Sequence, residues 1–279
     1  MARVRVITDS GCDLPDDVAQ RLGIDVVPLT IRFGDDEYTD RVNLSPSQFW
    51  AKCKESKVLP ETAAPSPGSF QSAYEAALAN GYDGVIVLAI SAALSATHQS
   101  ATLAAESVAD RIPVRVVDTK AVSMAVGLMA IDLAELAGTG ADLDALESRA
   151  RALLDRVGIC GTLDTLEHLV KGGRVGGARA LLGQVLSIKP LLALKDGVVA
   201  EAGRQRTRAK SLAAVAAVVR TNAPFERLAI VHGDASDVND LVAMVADVAT
   251  EHALVVADVG SVVGTHGGPR IIAACWIKA

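Results

Sequence analysis

Ser95 and His266 are the residues that most directly suggest catalysis, because a serine hydroxyl activated by an imidazole is a common acyl-transfer pair. The Gly-x-Ser-x-Gly turn that presents such a nucleophile is absent around Ser95, which is followed by Ala96 and Thr97. No carboxylate is obviously spaced to orient His266. A serine-type acyl hydrolase stays open as an alternative, beside the simpler interpretation of loop residues that cap helix ends.

The loop after the first predicted strand contains Asp9, which has the position of a phosphoryl-accepting aspartate. Such sites need a second carboxylate two residues further on, and that position is Gly11. Asp13 is more simply the N-cap of the helix that Pro15 opens. The sequence therefore gives little support to phosphoryl transfer at this loop.

A second loop, Lys171–Gly177, is rich in glycine and carries Arg174. Its spacing matches neither the P-loop nor the dinucleotide fingerprint. Another basic segment follows at Arg204–Lys210 and includes Arg206. Both are compatible with solvated surface, and together they are compatible with a docking patch for an acidic partner.

The composition excludes several classes of protein. Hydrophobic residues make up 50% and aromatic residues 3% of the 279 positions, and the formal net charge is −6. An acidic chain with few aromatic rings is a poor nucleic-acid binder. The four cysteines have no metal-ligand spacing, so we expect reduced thiols and no metal. We find no signal-peptide pattern, and the longest apolar run, Leu212–Val219, is too short to span a bilayer. We therefore expect a cytoplasmic monomer without stable membrane insertion.

Strand and helix patterns alternate through the first half of the chain, which predicts a doubly wound, mostly parallel sheet. The second half has hairpin signals such as Asp196-Gly197, which predict a mixed sheet. We expect two α/β domains, residues 1–155 and 156–279, with ligands at the loops that follow the strands. Less regular segments give four further predictions: a strand over Asp25–Phe33, loops over Thr62–Pro67 and Gly264–Pro269, and a helix over Arg179–Leu186.

Short motifs spread along the whole chain resemble the DegV family of fatty-acid-binding proteins. Each is weak alone, and their joint order is specific. They are Ile7–Pro15, Val27–Leu29 with Tyr38–Asp40, Thr62–Ser66, Ser91–Thr97, Val117-Asp118 with Ser123, Lys171–Arg174, Ile188–Pro190, Arg206–Arg208 with Lys210, His232–Asp234 and Gly264–Pro269.

This resemblance implies a carrier and not an enzyme, with a long-chain fatty acid such as palmitate, stearate or oleate in a tunnel between the two domains. Thr62, Ser95 and His266 would bind the carboxylate, and the acid itself would be the only ligand, without a cofactor. A separate fatty acid kinase subunit would convert the acid to acyl phosphate for phospholipid synthesis. Arg174 and Arg206 match positions associated with docking to that kinase. A lipid-sensing regulatory protein is a further alternative.

The chain departs from the family pattern near these residues. Ala63-Ala64 and Ala96 replace more polar or more flexible residues, and Gly267 and Arg270 replace a threonine and a glycine. We expect Ala96 to tighten or shift the carboxylate pocket. The tunnel lining is expected to come from Val27–Ile31 and Leu163–Leu186.

Overall fold

The computed structural model describes residues 2–181 and 188–279. The strands of these residues are β1 (Val4–Asp9), β2 (Asp25–Val27), β3 (Thr30–Phe33), β4 (Asp36–Thr39), β5 (Glu61–Ala63), β6 (Gly84–Ala89), β7 (Val114–Asp118), β8 (Val157–Thr162), β9 (Lys189–Lys195), β10 (Val198–Gln205), β11 (Phe225–His232), β12 (Val255–Asp258) and β13 (Ile272–Lys278).

The helices are α1 (Asp16–Leu22), α2 (Pro46–Glu55), α3 (Pro67–Ala79), α4 (Thr97–Ser107), α5 (Met124–Gly138), α6 (Leu143–Leu153), α7 (Glu167–Lys171), α8 (Arg208–Asn222), α9 (Val238–Val245) and α10 (Ser261–Gly267). Short 3₁₀ turns occur at Ser10–Cys12 and Gly176–Leu181. In the described parts of the chain, no helix has both the length and the apolar character that a membrane crossing requires.

These strands form three sheets. The parallel sheet has the order β2-β1-β6-β7, with α3 and α4 on one face and α5 and α6 on the other. The mixed sheet has the order β10-β9-β8-β13-β11-β12, and a small antiparallel sheet has the order β4-β3-β5. The prediction of a doubly wound parallel sheet followed by a mixed α/β half is confirmed.

Helix α5 lies between the two large sheets and contacts β1 of one and β11 and β13 of the other. Every residue from Met124 to Ala134 is buried, which explains why this stretch is apolar on all sides except at Asp132, whose carboxylate pairs with Arg149. The strands of the parallel sheet come from residues 4–118 and those of the mixed sheet from residues 157–278. The division at residue 155 stays a prediction.

The predicted strand over Asp25–Phe33 is wrong, because it consists of two strands in different sheets. β2 pairs with β1 in the parallel sheet, whereas β3 pairs with β4 and β5. Pro28 lacks the N–H that a continuous ladder needs. The next amide, Leu29 N–H, instead donates to Ser10 Oγ at 3.0 Å. The chain therefore leaves one sheet and enters the next at Pro28.

Two of the predicted loops begin with regular structure. Thr62 lies in β5, where it pairs with Ile31 of β3, and His266 lies in helix α10. The predicted helix over Arg179–Leu186 overlaps the 3₁₀ turn at Gly176–Leu181, and the rest of it lies outside the described residues.

Asp13 is not the N-cap of α1, because Pro15 has that position and no side chain caps this helix end. Its φ angle is 52°, and its carboxylate accepts bonds from Ser123 Oγ at 2.5 Å and from the Gly260 N–H at 2.8 Å. Gly260 directly precedes α10, so Asp13 joins the first loop of the chain to the helix that carries His266.

Candidate functional site

A cavity lies between the parallel sheet and the mixed sheet, with walls from both halves of the chain. Most of its lining is aliphatic, and its polar side chains are Thr62, Ser95, Arg174 and His266, which we call the polar cluster. Its other lining residues are Leu29, Ala64, Ile90, Leu94, Ala96, Val122, Ile159, Gly161, Leu163, Leu169, Leu192, Ala193, Leu194, Val199, Val262, Val263, Gly267, Ile271 and Ala273. An apolar chamber with a few grouped polar side chains is suited to an amphipathic small molecule.

The expected lining segments are only partly represented. Leu29 is the residue of Val27–Ile31 that faces the cavity, and Leu163, Leu169 and Arg174 come from Leu163–Leu186. Residues 182–186 of that prediction lie outside the described residues.

Thr62 and His266 are in direct contact, with 3.0 Å between Thr62 Oγ1 and His266 Nε2. Thr62 is held by the pairing of β5 with β3, and His266 is held by α10, which packs on α7 and β5. The contact between α7 and α10 is fixed by His168, whose Nδ1 lies 3.1 Å from the Thr265 carbonyl oxygen. Both side chains are therefore positioned by regular structure and not by mobile loops.

Ser95 lies in the loop between β6 and α4, on the wall of the same cavity. Its hydroxyl is 2.8 Å from Thr97 Oγ1 and also accepts the Thr97 N–H at 3.3 Å. Within the described residues, no hydrogen bond joins Ser95 to His266, and the Nδ1 atom of His266 is buried without a partner. The serine, base and carboxylate arrangement of a hydrolase is thus not assembled here.

Arg174 reaches the cavity from the glycine-rich loop that follows α7. Its Nε donates to the Leu94 carbonyl at 3.1 Å, and its Nη1 donates to the Gly172 carbonyl at 2.5 Å. From the sequence, this arginine was predicted only as a docking residue. One sequence feature could have indicated its position in the cavity wall, namely that this basic residue directly follows Gly172 and Gly173 in a glycine-rich motif.

The two positions before Arg174 require glycine for different structural reasons. Gly173 has a φ angle of +70°, which favours glycine, and a Cβ there would meet no atom within 4 Å. A Cβ on Gly172 would lie far inside contact distance of His266 Nδ1. Gly172 therefore makes room for the imidazole ring, and Gly173 allows the chain to turn toward Arg174.

His266 is neutral at neutral pH in this environment. Burial, followed by the positive charge of Arg174 and by His168, lowers the pKa of His266 to about 4. A neutral imidazole offers one donor and one acceptor. The permanent positive charge in the polar cluster is therefore that of Arg174.

Arg206 is exposed and is not part of the cavity wall. Asp9 is fully buried and accepts the N–H groups of Gly11 and Ile90, so it caps a local turn. The four cysteines are free, and the described residues contain no group of three or more His, Cys, Asp or Glu side chains that could hold a metal ion.

The departures noted in the sequence have local explanations. Ala96 has a φ angle of −73°, which any residue adopts, so its backbone is not strained by the absence of glycine. Gly267 leaves room for the Ile271 side chain, which a Cβ would overlap. Arg270 has a φ angle of +60°, which glycine adopts more readily, and its guanidinium lies 3.5 Å from Asp164 and 3.4 Å from Asp237.

The fold and the cavity define a class of protein, an α/β protein with a largely apolar chamber, in whose wall the described residues include four polar side chains. The family model for uncharacterised proteins of the DegV family matches residues 3–279. DegV domain-containing proteins of Streptomyces coelicolor and Deinococcus radiodurans are 34% and 37% identical to the chain, over 96% of both sequences in each case. The chain belongs to the DegV family.

Solved structures of two family members have the same fold. A DegV family protein from Thermus thermophilus, whose structure concerns fatty acid binding, has a TM-score of 0.90 at 34% identity and 99% coverage of both chains. DegV of Bacillus subtilis, a fatty acid binding protein, has a TM-score of 0.87 at 27% identity, again over 99% of both chains. The cavity therefore lies in a fold whose relatives bind fatty acids.

Proposed function

We propose that this protein binds one long-chain fatty acid, such as palmitate, stearate or oleate, with the tail in the apolar cavity and the carboxylate at the polar cluster. The observation that carries the proposal is the Thr62–His266 contact in the wall of an otherwise aliphatic chamber that also includes Ser95. The fatty acid binding of its structural relatives supports it.

The apolar lining accounts for affinity. Burial of each methylene is favourable by about 0.8 kcal/mol, so a palmitoyl tail contributes roughly 10 kcal/mol. The loss of translational and rotational freedom on binding offsets a substantial part of this gain. The remaining affinity depends on the carboxylate, because an unpaired charge in such a cavity costs several kcal/mol.

The polar cluster offers donors for that carboxylate. We infer that His266 carries its proton on Nε2 and donates to Thr62 Oγ1, because the buried Nδ1 is then a lone pair and not an unsatisfied N–H. The Thr62 hydroxyl is then free to donate to the ligand. Ser95 supplies a second hydroxyl, and the guanidinium of Arg174 supplies the charge.

Native mass spectrometry of the purified protein tests this proposal. We expect an acyl species bound in one-to-one ratio, and weaker retention in Ser95→Ala than in the control Ser107→Ala, whose hydroxyl donates to the Ala104 carbonyl outside the cavity. A delipidated protein that takes up neither palmitate nor oleate would contradict the proposal. Turnover of an acyl ester that Ser95→Ala abolishes would instead favour the hydrolase.

We further propose that the protein is a carrier that presents the bound carboxylate to a separate fatty acid kinase and needs no cofactor of its own. In support, Ser95, Arg174 and His266 are only partly buried, and the neighbouring Ala96 is exposed. The carboxylate would thus lie near the surface. The exposed Arg206 remains a candidate docking residue.

A coupled assay with a fatty acid kinase subunit and ATP tests the carrier role. We expect ATP-dependent formation of acyl phosphate from the loaded protein, reduced in Arg206→Ala although fatty acid retention is unchanged. Retention of fatty acid without any stimulation of a kinase would favour a lipid-sensing regulatory protein.

A further inference from the structure

The floor of the cavity is one face of the mixed sheet. Ile159, Gly161 and Leu163 alternate along β8 and its end, so they point to the same side, and all three line the cavity. Past Leu163 the chain continues through α7 to Arg174 of the polar cluster. Ile159 therefore lies at the far end of the floor, about 13 Å from Leu163 at ~3.3 Å per residue.

In the middle of this floor, β8 and β13 carry small residues that project little into the cavity. Gly161 and Ala273 are paired on neighbouring strands, and a Cβ on Gly161 would lie 2.7 Å from the Ala273 Cβ. Along β8 the floor is thus shallow between Leu163 and Ile159, with Leu192 of β9 beside Gly161, and the first bulky side chain of β8 beyond Gly161 is that of Ile159. An acyl tail that runs away from the polar cluster meets no large side chain on β8 before Ile159.

Leu194 is the neighbour of Ile159 on the next strand. β8 and β9 are antiparallel, with Cys160 opposite Ala193 and Gly161 opposite Leu192, so Ile159 and Leu194 are the next pair along the two strands. Both are only half-buried, although both line the cavity.

The reason for their partial exposure is a second cleft behind them. Ile159 and Leu194 also line this cleft, whose other walls include Lys120, Arg151 and Asp155. Two aliphatic side chains thus separate the apolar cavity from a charged, solvated cleft. A tail that passed them would exchange apolar surroundings for water and charged groups.

We propose that the Ile159–Leu194 pair is the stop for the acyl tail and sets the longest fatty acid that the protein binds well. The inference rests on the proposed function, since it assigns chain-length selection to the end of the cavity opposite the polar cluster. The stop is assigned among the residues that the structure describes.

The test is the affinity of the delipidated protein for a saturated series from laurate to arachidate. For the natural chain we expect Kd to fall about fourfold for each added methylene up to an optimum and then to rise. In Ile159→Ala/Leu194→Ala the optimum moves to a longer acid. The acid two carbons beyond the natural optimum then binds on the order of 10-fold tighter than to the natural chain. In Leu194→Phe the optimum moves to a shorter acid.

Leu191→Ala is the matched control, because Leu191 lies on the same strand but packs in the core on the opposite face of the sheet with Leu212. It should lower the Tm and keep the optimum of the natural chain. The inference is overturned if the natural chain has an optimal chain length that stays the same in both folded variants of the Ile159–Leu194 pair. It is also overturned if Leu191→Ala shifts that optimum by as much as they do. In both cases the proposed function stands. If the natural chain binds no acid of any length, the proposed function itself fails.

Discussion

Thr62 Oγ1 lies 3.0 Å from His266 Nε2, although the two residues are 204 positions apart in the chain. The contact joins the edge of the small antiparallel sheet to helix α10, which follows the last parallel strand of the mixed sheet. The polar cluster therefore forms only when both halves of the chain have folded together, which links stability to ligand binding.

Replacement of Thr62 by valine tests this contact, because valine keeps the shape and removes the hydroxyl. We expect a loss of about 1–3 kcal/mol in the free energy of unfolding, since the Nε2 of His266 loses its partner. Fatty acid retention should weaken by at least about tenfold, because a hydrogen bond to a charged group is lost. Thr102→Val is the control, since the Thr102 hydroxyl donates to the His98 carbonyl within α4. Equal retention in the two variants would contradict the assignment of Thr62.

The charge of Arg174 is tested through the titration of His266. In Arg174→Met the pKa of His266 should rise from about 4, because a like charge is removed, and it should stay below 6.5, because burial is the larger cause. Ring-proton NMR against pH measures the shift. Arg206→Met, a change at an exposed arginine outside the cavity, should leave the titration unchanged. An unaltered pKa in Arg174→Met would show that the guanidinium does not act on the ring.

The neighbouring glycines of the basic loop give a matched pair of variants. Gly173→Ala should cost about 1 kcal/mol of stability through its positive φ angle and leave fatty acid binding unchanged. Gly172→Ala should displace the His266 ring and weaken binding, because a Cβ there overlaps Nδ1. The test is to measure the fatty acid affinity and the thermal unfolding temperature of both variants. A Gly172→Ala protein with natural affinity is not compatible with this arrangement.

Asp13 predicts a particular dependence of stability on pH. Burial raises the pKa of Asp13 from 3.8 to about 7, so between these pH values the folded protein holds a proton that the unfolded chain has released. The free energy of unfolding therefore falls as pH rises from about 4 to 7. The Asp13→Asn variant has no carboxyl group at this position and lacks this loss. Relative to the natural chain, its free energy of unfolding should therefore increase by up to about 1.4 kcal/mol per pH unit in this window.

Urea unfolding at several pH values measures the effect of Asp13→Asn. Asp35→Asn, at an exposed turn, is the control and should follow the natural chain at every pH. Asp9, whose pKa burial also raises to about 7, keeps its own contribution in both variants. Parallel curves for the natural chain and Asp13→Asn would contradict the buried, protonated state of Asp13.

The sequence was informative where one local pattern determines structure. The Asp196-Gly197 signal predicts a hairpin, and the structure has one there between β9 and β10. It was misleading where tertiary pairing decides. Thr62 lies in a strand because β3 is available to pair with it, and nothing in its neighbouring residues encodes that partner.

The candidate site follows the same division. Family-wide motifs identified Thr62, Ser95 and His266, and all three line one cavity. Arg174 was expected at the surface, because a basic glycine-rich loop is usually solvated. Its place in the cavity wall depends on the Leu94 and Gly172 carbonyls, which bind its guanidinium. The wall at Ile159 and Leu194 depends on strand register, which one sequence does not reveal.

A crystal structure of the protein loaded with palmitate would show both ends of the bound acid at once. We expect a carboxylate within hydrogen-bond distance of Thr62 Oγ1 and Ser95 Oγ, and a tail that ends against Ile159 and Leu194. A carboxylate in the cleft beside Lys120 and Arg151, with the tail pointing toward His266, would contradict it.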